Sequence, residues 1–223
     1  MLAGLRRLPA GRVHLGARAF SVGVVGAGVA GLQTVHAMRL KGHTVECFET
    51  SGNVGGVWRD NYKGFGVQVP KQLYEFCDLP FDEVPHGEFP TGEQTQRYIE
   101  RYADHFALRS AVRLNTTVAK ATQLEDGRWT LSVVQADGAA SECTFDKLVM
   151  CSGLYSAHKK FVPQEEGRAD FEGDVMHTHD FRDNAQVAGK KVVVVGGAKS
   201  AIDGREPLSR FLLRPSAGGL MCS

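Results

Sequence analysis

Cysteine is sparse and scattered in this chain: Cys47, Cys77, Cys143, Cys151 and Cys222 form no C-x-x-C pair in 223 residues. That distribution argues against a disulfide framework, a zinc site and a dithiol redox centre together. No apolar run approaches the roughly 18 residues that a membrane-spanning helix needs. The formal net charge is +1, which gives no reason to expect a nucleic-acid partner. No Ser-His-Asp set, paired carboxylate or metal-ligand cluster stands out, so no metal is expected. Acid is also missing from residues 1–20, which carry Arg6, Arg7, Arg12 and Arg18 and leave 22 basic against 25 acidic residues, or −3, for the remainder. An Arg-rich, acid-free leader of this kind has the composition of a transit peptide for a mitochondrion or plastid. The other reading is a disordered extension with no address, which leaves the protein in the cytoplasm.

What is present begins at Ser21. A short apolar strand, Val22 to Val25, turns through Gly26-Ala27-Gly28 and continues into a helical pattern with Leu32, Val35 and Met38 on one face. Gly42 is placed to end that helix, and His43 to Glu49 reads as a second strand closed by an acid. The unit is a βαβ crossover with G-x-G-x-x-G spacing, expected to bind an adenine dinucleotide through Gly26, Ala27, Gly28, Val29, Ala30 and Gly31. Each glycine has its own steric reason. Gly26 makes the tight turn, Gly28 lets backbone approach a pyrophosphate, and Gly31 lets helix and strand pack closely. The pyrophosphate would rest on the helix N-terminus, where the dipole favours negative charge. Glu49, 18 residues after Gly31, stands where an acid accepts hydrogen bonds from a ribose.

The segment Ser51-Gly52-Asn53-Val54-Gly55-Gly56-Val57-Trp58 then offers backbone that can lie against a flat ring system. A nucleotide unit ending in an acid and followed by G-G-x-W resembles the FAD domain of the flavin-containing monooxygenases and their Baeyer-Villiger relatives. Further along, Phe171, Gly173, His177 and Phe181 fit the F-x-G-x-x-x-H-x-x-x-F fingerprint of that family. The resemblance covers roughly residues 21–203. It implies an α/β fold: a Rossmann-like, three-layer FAD-binding domain with a parallel sheet and a β-meander, plus the start of a second, incomplete NADP-binding Rossmann unit. It also assigns Gly56, Val57, Trp58, Val118, Ser152 and Gly153 to FAD. Animal members place an asparagine near the flavin where this chain has Gln68, so Gln68 and His177 are expected to position the reacting groups. For His177 a plain linker role and a metal pair with His179 stay open.

Thr91 and Gln94 give a capping-box signal ahead of Tyr98, Tyr102 and Phe106, spaced every four residues on one helix face. Residues 112–145 read as the β-meander, with Asp126-Gly127 and Asp137-Gly138 as hairpin turns. Phe145 to Gly153 is expected to add a buried parallel strand. Lys190 to Val195 is expected to be another strand, followed by the family's NADPH turn through Gly196, Gly197, Ser200 and Ala201, with Ala198 in place of its second glycine. Gly204 to Pro207 is expected to interrupt the helix that follows. The domain reading is therefore an extension over residues 1–20, an FAD-binding domain over 21–185, the start of an NADP-binding domain over 186–203, and an atypical tail over 204–223. The resemblance implies NADPH- and FAD-dependent oxygenation of a small soft nitrogen or sulfur nucleophile by O2 through a hydroperoxyflavin. The alternatives are a truncated, non-catalytic FAD-binding remnant and, further off, a Baeyer-Villiger enzyme or a disulfide-reductase relative.

Overall fold

The computed structural model describes residues 18–155, 160, 162 and 166–208. The Arg-rich segment before Arg18 and the residues after Leu208, with Cys222, lie outside them. In chain order the regular elements are β1 (Ser21–Val25), α1 (Val29–Leu40), β2 (Thr44–Phe48), α2 (Gly92–His105), β3 (Val112–Arg113), β4 (Thr116–Gln123), β5 (Trp129–Gln135), β6 (Ala140–Phe145), β7 (Lys147–Met150) and α3 (Lys199–Leu208).

β1 is apolar on both faces, as a central parallel strand must be. It lies between β2 and β7 in a four-stranded parallel sheet of order β3-β2-β1-β7. Val22 and Val24 point to one side, into a cluster with Leu32 and Val35 of α1 and with Tyr98, Ile99 and Tyr102 of α2. On the other side Val25 and Phe48 meet Leu131, Val133 and Phe145 of the antiparallel sheet β4-β5-β6. Helices, parallel sheet and meander thus form three layers. Gly23 makes the last contact possible, since a Cβ there would lie 2.7 Å from the Phe145 ring.

The local signals read from sequence are realised. Gly42 ends α1 in the left-handed region at φ 81°, with its N–H on Arg39 O and that of His43 on Met38 O. Thr91 and Gln94 form the reciprocal capping box: the Gln94 N–H donates to Thr91 Oγ1 at 3.2 Å and the Thr91 N–H to Gln94 Oε1 at 2.8 Å. Tyr98 and Tyr102 are buried, and Phe81 stacks on the Tyr98 ring at 4.2 Å between centroids. Both hairpin glycines, Gly127 and Gly138, have positive φ.

Four expectations need correction. Val112–Arg113 pairs with β2 in the parallel sheet, so the meander begins at Thr116 rather than at 112. β7 is parallel to β1 as expected, but it is the sheet's edge rather than buried, and Met150 is 59% exposed. Lys190 to Val195 forms no strand. A parallel strand needs neighbours for its N–H and C=O groups, and among the described residues none lies beside this segment. Burial nevertheless alternates along it without a ladder: Val192 and Val194 pack on Phe181 and Val187, while Val193 and Val195 are each 85% exposed. Finally, α3 does not stop at Gly204 but runs through Pro207 to Leu208. Glycine lowers helix stability by about 1 kcal/mol and proline removes one hydrogen bond, and neither excludes helical backbone. No helix among the described residues is long and apolar enough to cross a membrane.

Candidate dinucleotide site

At the carboxyl end of β1 the chain turns through Gly26, whose N–H donates to Phe48 O at 2.8 Å. Its φ of 99° suits glycine, and a Cβ would stand 2.5 Å from Cys151 O. Gly31, in the first turn of α1, is more tightly held: a Cβ there would fall 1.8 Å from Gly26 O. Gly28 differs. It is the N-cap of α1, and a Cβ on it would meet nothing nearer than Gly56 Cα at 3.7 Å, an ordinary contact. The protein's own packing therefore demands glycine at 26 and 31 but not at 28, where the remaining reason for glycine is a group from outside. α1 has no side-chain cap and no acid in its first turn, so Val29, Ala30 and Gly31 carry the positive end of the helix dipole toward that space.

Glu49 stands directly behind the turn. Its Oε2 accepts the Ala27 N–H at 2.7 Å, and its Oε1 accepts the Ser51 N–H at 2.9 Å and the Ser51 hydroxyl at 2.8 Å. Of about four lone-pair positions on a carboxylate, three are used and one on Oε2 remains for a ribose hydroxyl. Below the turn, the Cys47 thiol reaches Gly26 O at 3.5 Å. Burial, with Glu49 and Cys151 nearby, pushes its pKa up to about 12. Cys47 is packing, not a nucleophile.

The glycine loop after β2 is strapped to this turn, its Gly55 N–H donating to Ala27 O at 3.0 Å. α2 supports it from the other side. Gln96 donates to Val54 O at 2.9 Å, and Asn53 bonds both Glu100 (2.7 Å) and Arg109 (2.8 Å). Gly55, at φ 124°, lies so close to Gln96 that a Cβ would be 2.0 Å from its Oε1. Gly56 begins the short turn that places Val57 outward, 40% exposed, and Trp58 half-buried against Phe65 and Tyr74, at 5.8 and 5.7 Å between ring centroids. Asn53 and Gln96 were not singled out from sequence. Only the polar flank of α2 facing a glycine loop hinted at them.

Ser152 follows at the end of β7, its Cα 3.5 Å from where a Gly26 Cβ would be. Gly153 beside it has φ 75° and open space around it, and both residues are exposed. Val118 is half-buried in β4 next to a break in register between Val118 and Lys120, which bends the strand and frees backbone groups. The first turn, the Gly55–Trp58 loop, Glu49 and Ser152 are therefore brought together. Gln68 is exposed on its loop, and no hydrogen bond among the described residues joins it to the glycine turns or to His177.

His177 caps a short turn, its Nδ1 accepting the His179 N–H at 3.1 Å. Among the described residues no three His, Cys, Asp or Glu side chains converge as a metal site requires. Within the fingerprint, Phe181 is buried, Phe171 is 62% exposed, and Gly173 leaves room for the Phe171 ring. In the second turn, Gly196 has φ 134° with Ala201 packed at 3.5 Å from its would-be Cβ; Gly197 is open and exposed, and Ser200 and Ala201 sit half-buried in the first turn of α3.

The first turn fits the adenosine diphosphate part of FAD on three counts: a glycine the fold does not itself require, an uncapped helix end and an acid with one acceptor position left. Comparison with known proteins points the same way. A 4-hydroxybenzoate brominase (decarboxylating) from Marinomonas mediterranea is 31% identical over 185 residues, covering 82% of this chain and 35% of that protein. A trimethylamine monooxygenase from Pelagibacter sp. is 31% identical, covering 82% of this chain and 46% of that one. The structure of S-allyl-L-cysteine S-oxygenase from Allium sativum superimposes with a TM-score of 0.79 at 28% identity, covering 87% of this chain and 50% of its own. The chain thus spans half or less of the length of these relatives. The flavin-binding monooxygenase-like profile matches residues 19–213, reaching past the span legible from motifs, and with the glycine cradle that profile settles the family: the chain belongs to the flavin-binding monooxygenase-like family.

Proposed function

We propose that the protein binds FAD at the first turn and NADPH at the second, and oxygenates a small soft nitrogen or sulfur nucleophile with O2. The observation that carries this reading is Gly28, the one glycine of the first motif that the protein's own packing leaves unexplained. The N–H groups of Val29 and Ala30 would receive the FAD pyrophosphate, Glu49 the ribose, and Gly55 to Trp58 the neighbouring part of the cofactor. When bound, FAD supplies reduction by the nicotinamide and reaction with O2. The chain's residues bind and orient: Ser51 and Ala27 fix the Glu49 carboxylate, and α2, through Asn53 and Gln96, fixes the glycine loop. Gly196, Gly197, Ser200 and Ala201 are read as the nicotinamide phosphate turn. Names of relatives support the substrate class, since one acts on trimethylamine and another on a thioether.

A second reading, an FAD carrier without turnover, is favoured by the Lys190–Val195 segment, which pairs with no strand among the described residues, because a nicotinamide nucleotide needs a covered second sheet. One assay separates the two. The purified protein with FAD, given NADPH in air, should consume NADPH faster when a tertiary amine or thioether is added and should release the N- or S-oxide. Bound flavin that NADPH leaves oxidised would favour the carrier. The leader is read as an organelle address; a fluorescent reporter carrying it should leave the cytosol, and a purely cytosolic signal would end that reading.

A further inference from the structure

The loop that follows Trp58 is bound, residue by residue, to the segment carrying the second glycine turn. Asp60 Oδ1 accepts from Arg182 Nη2 at 2.7 Å, and Asn61 O accepts from Arg182 Nη1. The Tyr62 hydroxyl donates to Asp203 Oδ2 at 2.9 Å, and the Lys63 N–H donates to Phe181 O at 2.7 Å. Four successive residues thus join the flavin loop to residues 181–203, a stretch that forms no sheet of its own among the described residues. Three of these bonds hold Phe181 and Arg182, on the fingerprint side. Of the four, only Tyr62 reaches α3: its hydroxyl meets Asp203, one turn after Lys199, whose ammonium also bonds Asp203, and it is hydrogen-bonded to the Ser200 side chain as well. Tyr62 is only 8% exposed and its ring lies against Phe65, which in turn packs on Trp58. Burial raises its pKa to about 12, with the Asp203 carboxylate adding to the rise and the hydrogen bond with Ser200 opposing it.

We propose that Tyr62 is a positioning residue for the second nucleotide site: by holding Asp203 it fixes the first turn of α3, and with it Gly196 to Ala201, against the flavin loop. The proposal rests on the reading of that turn as the nicotinamide phosphate site. A helix end binds phosphate only where its N–H groups are aimed, and α3 has no strand before it to aim it. Tyr62 supplies that aim from the first domain. Loss of the hydroxyl leaves the ring, and therefore the packing on Phe65 and Trp58, in place.

The test compares wild type with Tyr62→Phe, Asp203→Ala and Asp203→Asn in the full chain loaded with FAD. NADP+ affinity is measured by calorimetry, and amide hydrogen exchange is followed across residues 199–203. Tyr62→Phe and Asp203→Ala should each weaken NADP+ by about tenfold and speed exchange in α3, with FAD content unchanged and Tm lowered by no more than a few degrees. Asp203→Asn, which keeps an acceptor for the tyrosine, should restore most of the affinity. The double variant Tyr62→Phe, Asp203→Ala should be no worse than either single one. Equal NADP+ binding and equal exchange in Tyr62→Phe would overturn the proposal, as would a parallel loss of FAD, which would make Tyr62 a general support. Wild type that holds FAD but binds no NADP+ would instead overturn the nucleotide reading of the second turn, and the proposal with it.

Discussion

Gly28 and Gly31 stand three residues apart under opposite constraints. Gly31→Ala forces a methyl onto Gly26 O, so it should cost about 3 kcal/mol or more and lower Tm by roughly 10 °C. Gly28→Ala has room within the protein and should cost less than about 1 kcal/mol, while reducing FAD affinity by more than about tenfold, as titration of the two variants would show. Three tyrosines provide a pH prediction. Burial raises Tyr62 and Tyr98 from 10.0 to about 12, and it raises Tyr102 as well, with the Asp78 carboxylate adding to the effect. A group whose folded pKa is raised contributes stability below its unfolded value, and that contribution is lost as pH rises through the folded one. Alkaline denaturation should therefore begin above pH 10 and advance toward about 12, with tyrosinate absorbance rising together with the loss of structure. A protein that ionises these tyrosines at their ordinary pKa while still folded would contradict this packing.

Elements show where sequence was legible. The first crossover could be read because each of its signals is local: alternating valines, glycine spacing, a helix-ending Gly42 and an acid at a fixed distance. The capping box at Thr91 was legible for the same reason, and Thr91→Ala should lower stability by about 1 kcal/mol without affecting flavin content, a shift of a few degrees in a melt. The four valines from Val192 to Val195 misled, because a continuous apolar run is a property of the residues whereas a strand is a property of its neighbours. Replacing the exposed Val193 and Val195 by threonine should change stability by less than about 0.5 kcal/mol, while Val192→Ala and Val194→Ala should lower it measurably. Equal effects at all four would mean that the segment is paired on both faces in solution. Contacts across long sequence separations, such as Asn53 with Glu100 and Arg109 or Tyr62 with Asp203, had no local signature and appeared only in three dimensions.

At the scale of the whole molecule, a parallel sheet covered by helices on one face and by a meander on the other holds the first turn rigidly. Among the described residues the second turn has no such sheet, and the loop from Asp60 to Lys63 bonds to the segment that carries it. The central claim is that the turn from Gly26 to Gly31, backed by Glu49, holds FAD. The most direct measurement is the visible absorption spectrum of the purified protein after incubation with FAD and removal of the excess, alongside Gly28→Ala. The account predicts a yellow wild-type protein with close to one flavin per chain and a folded but largely colourless variant. A folded wild-type protein that stays colourless, or a variant that holds FAD equally well, would contradict it.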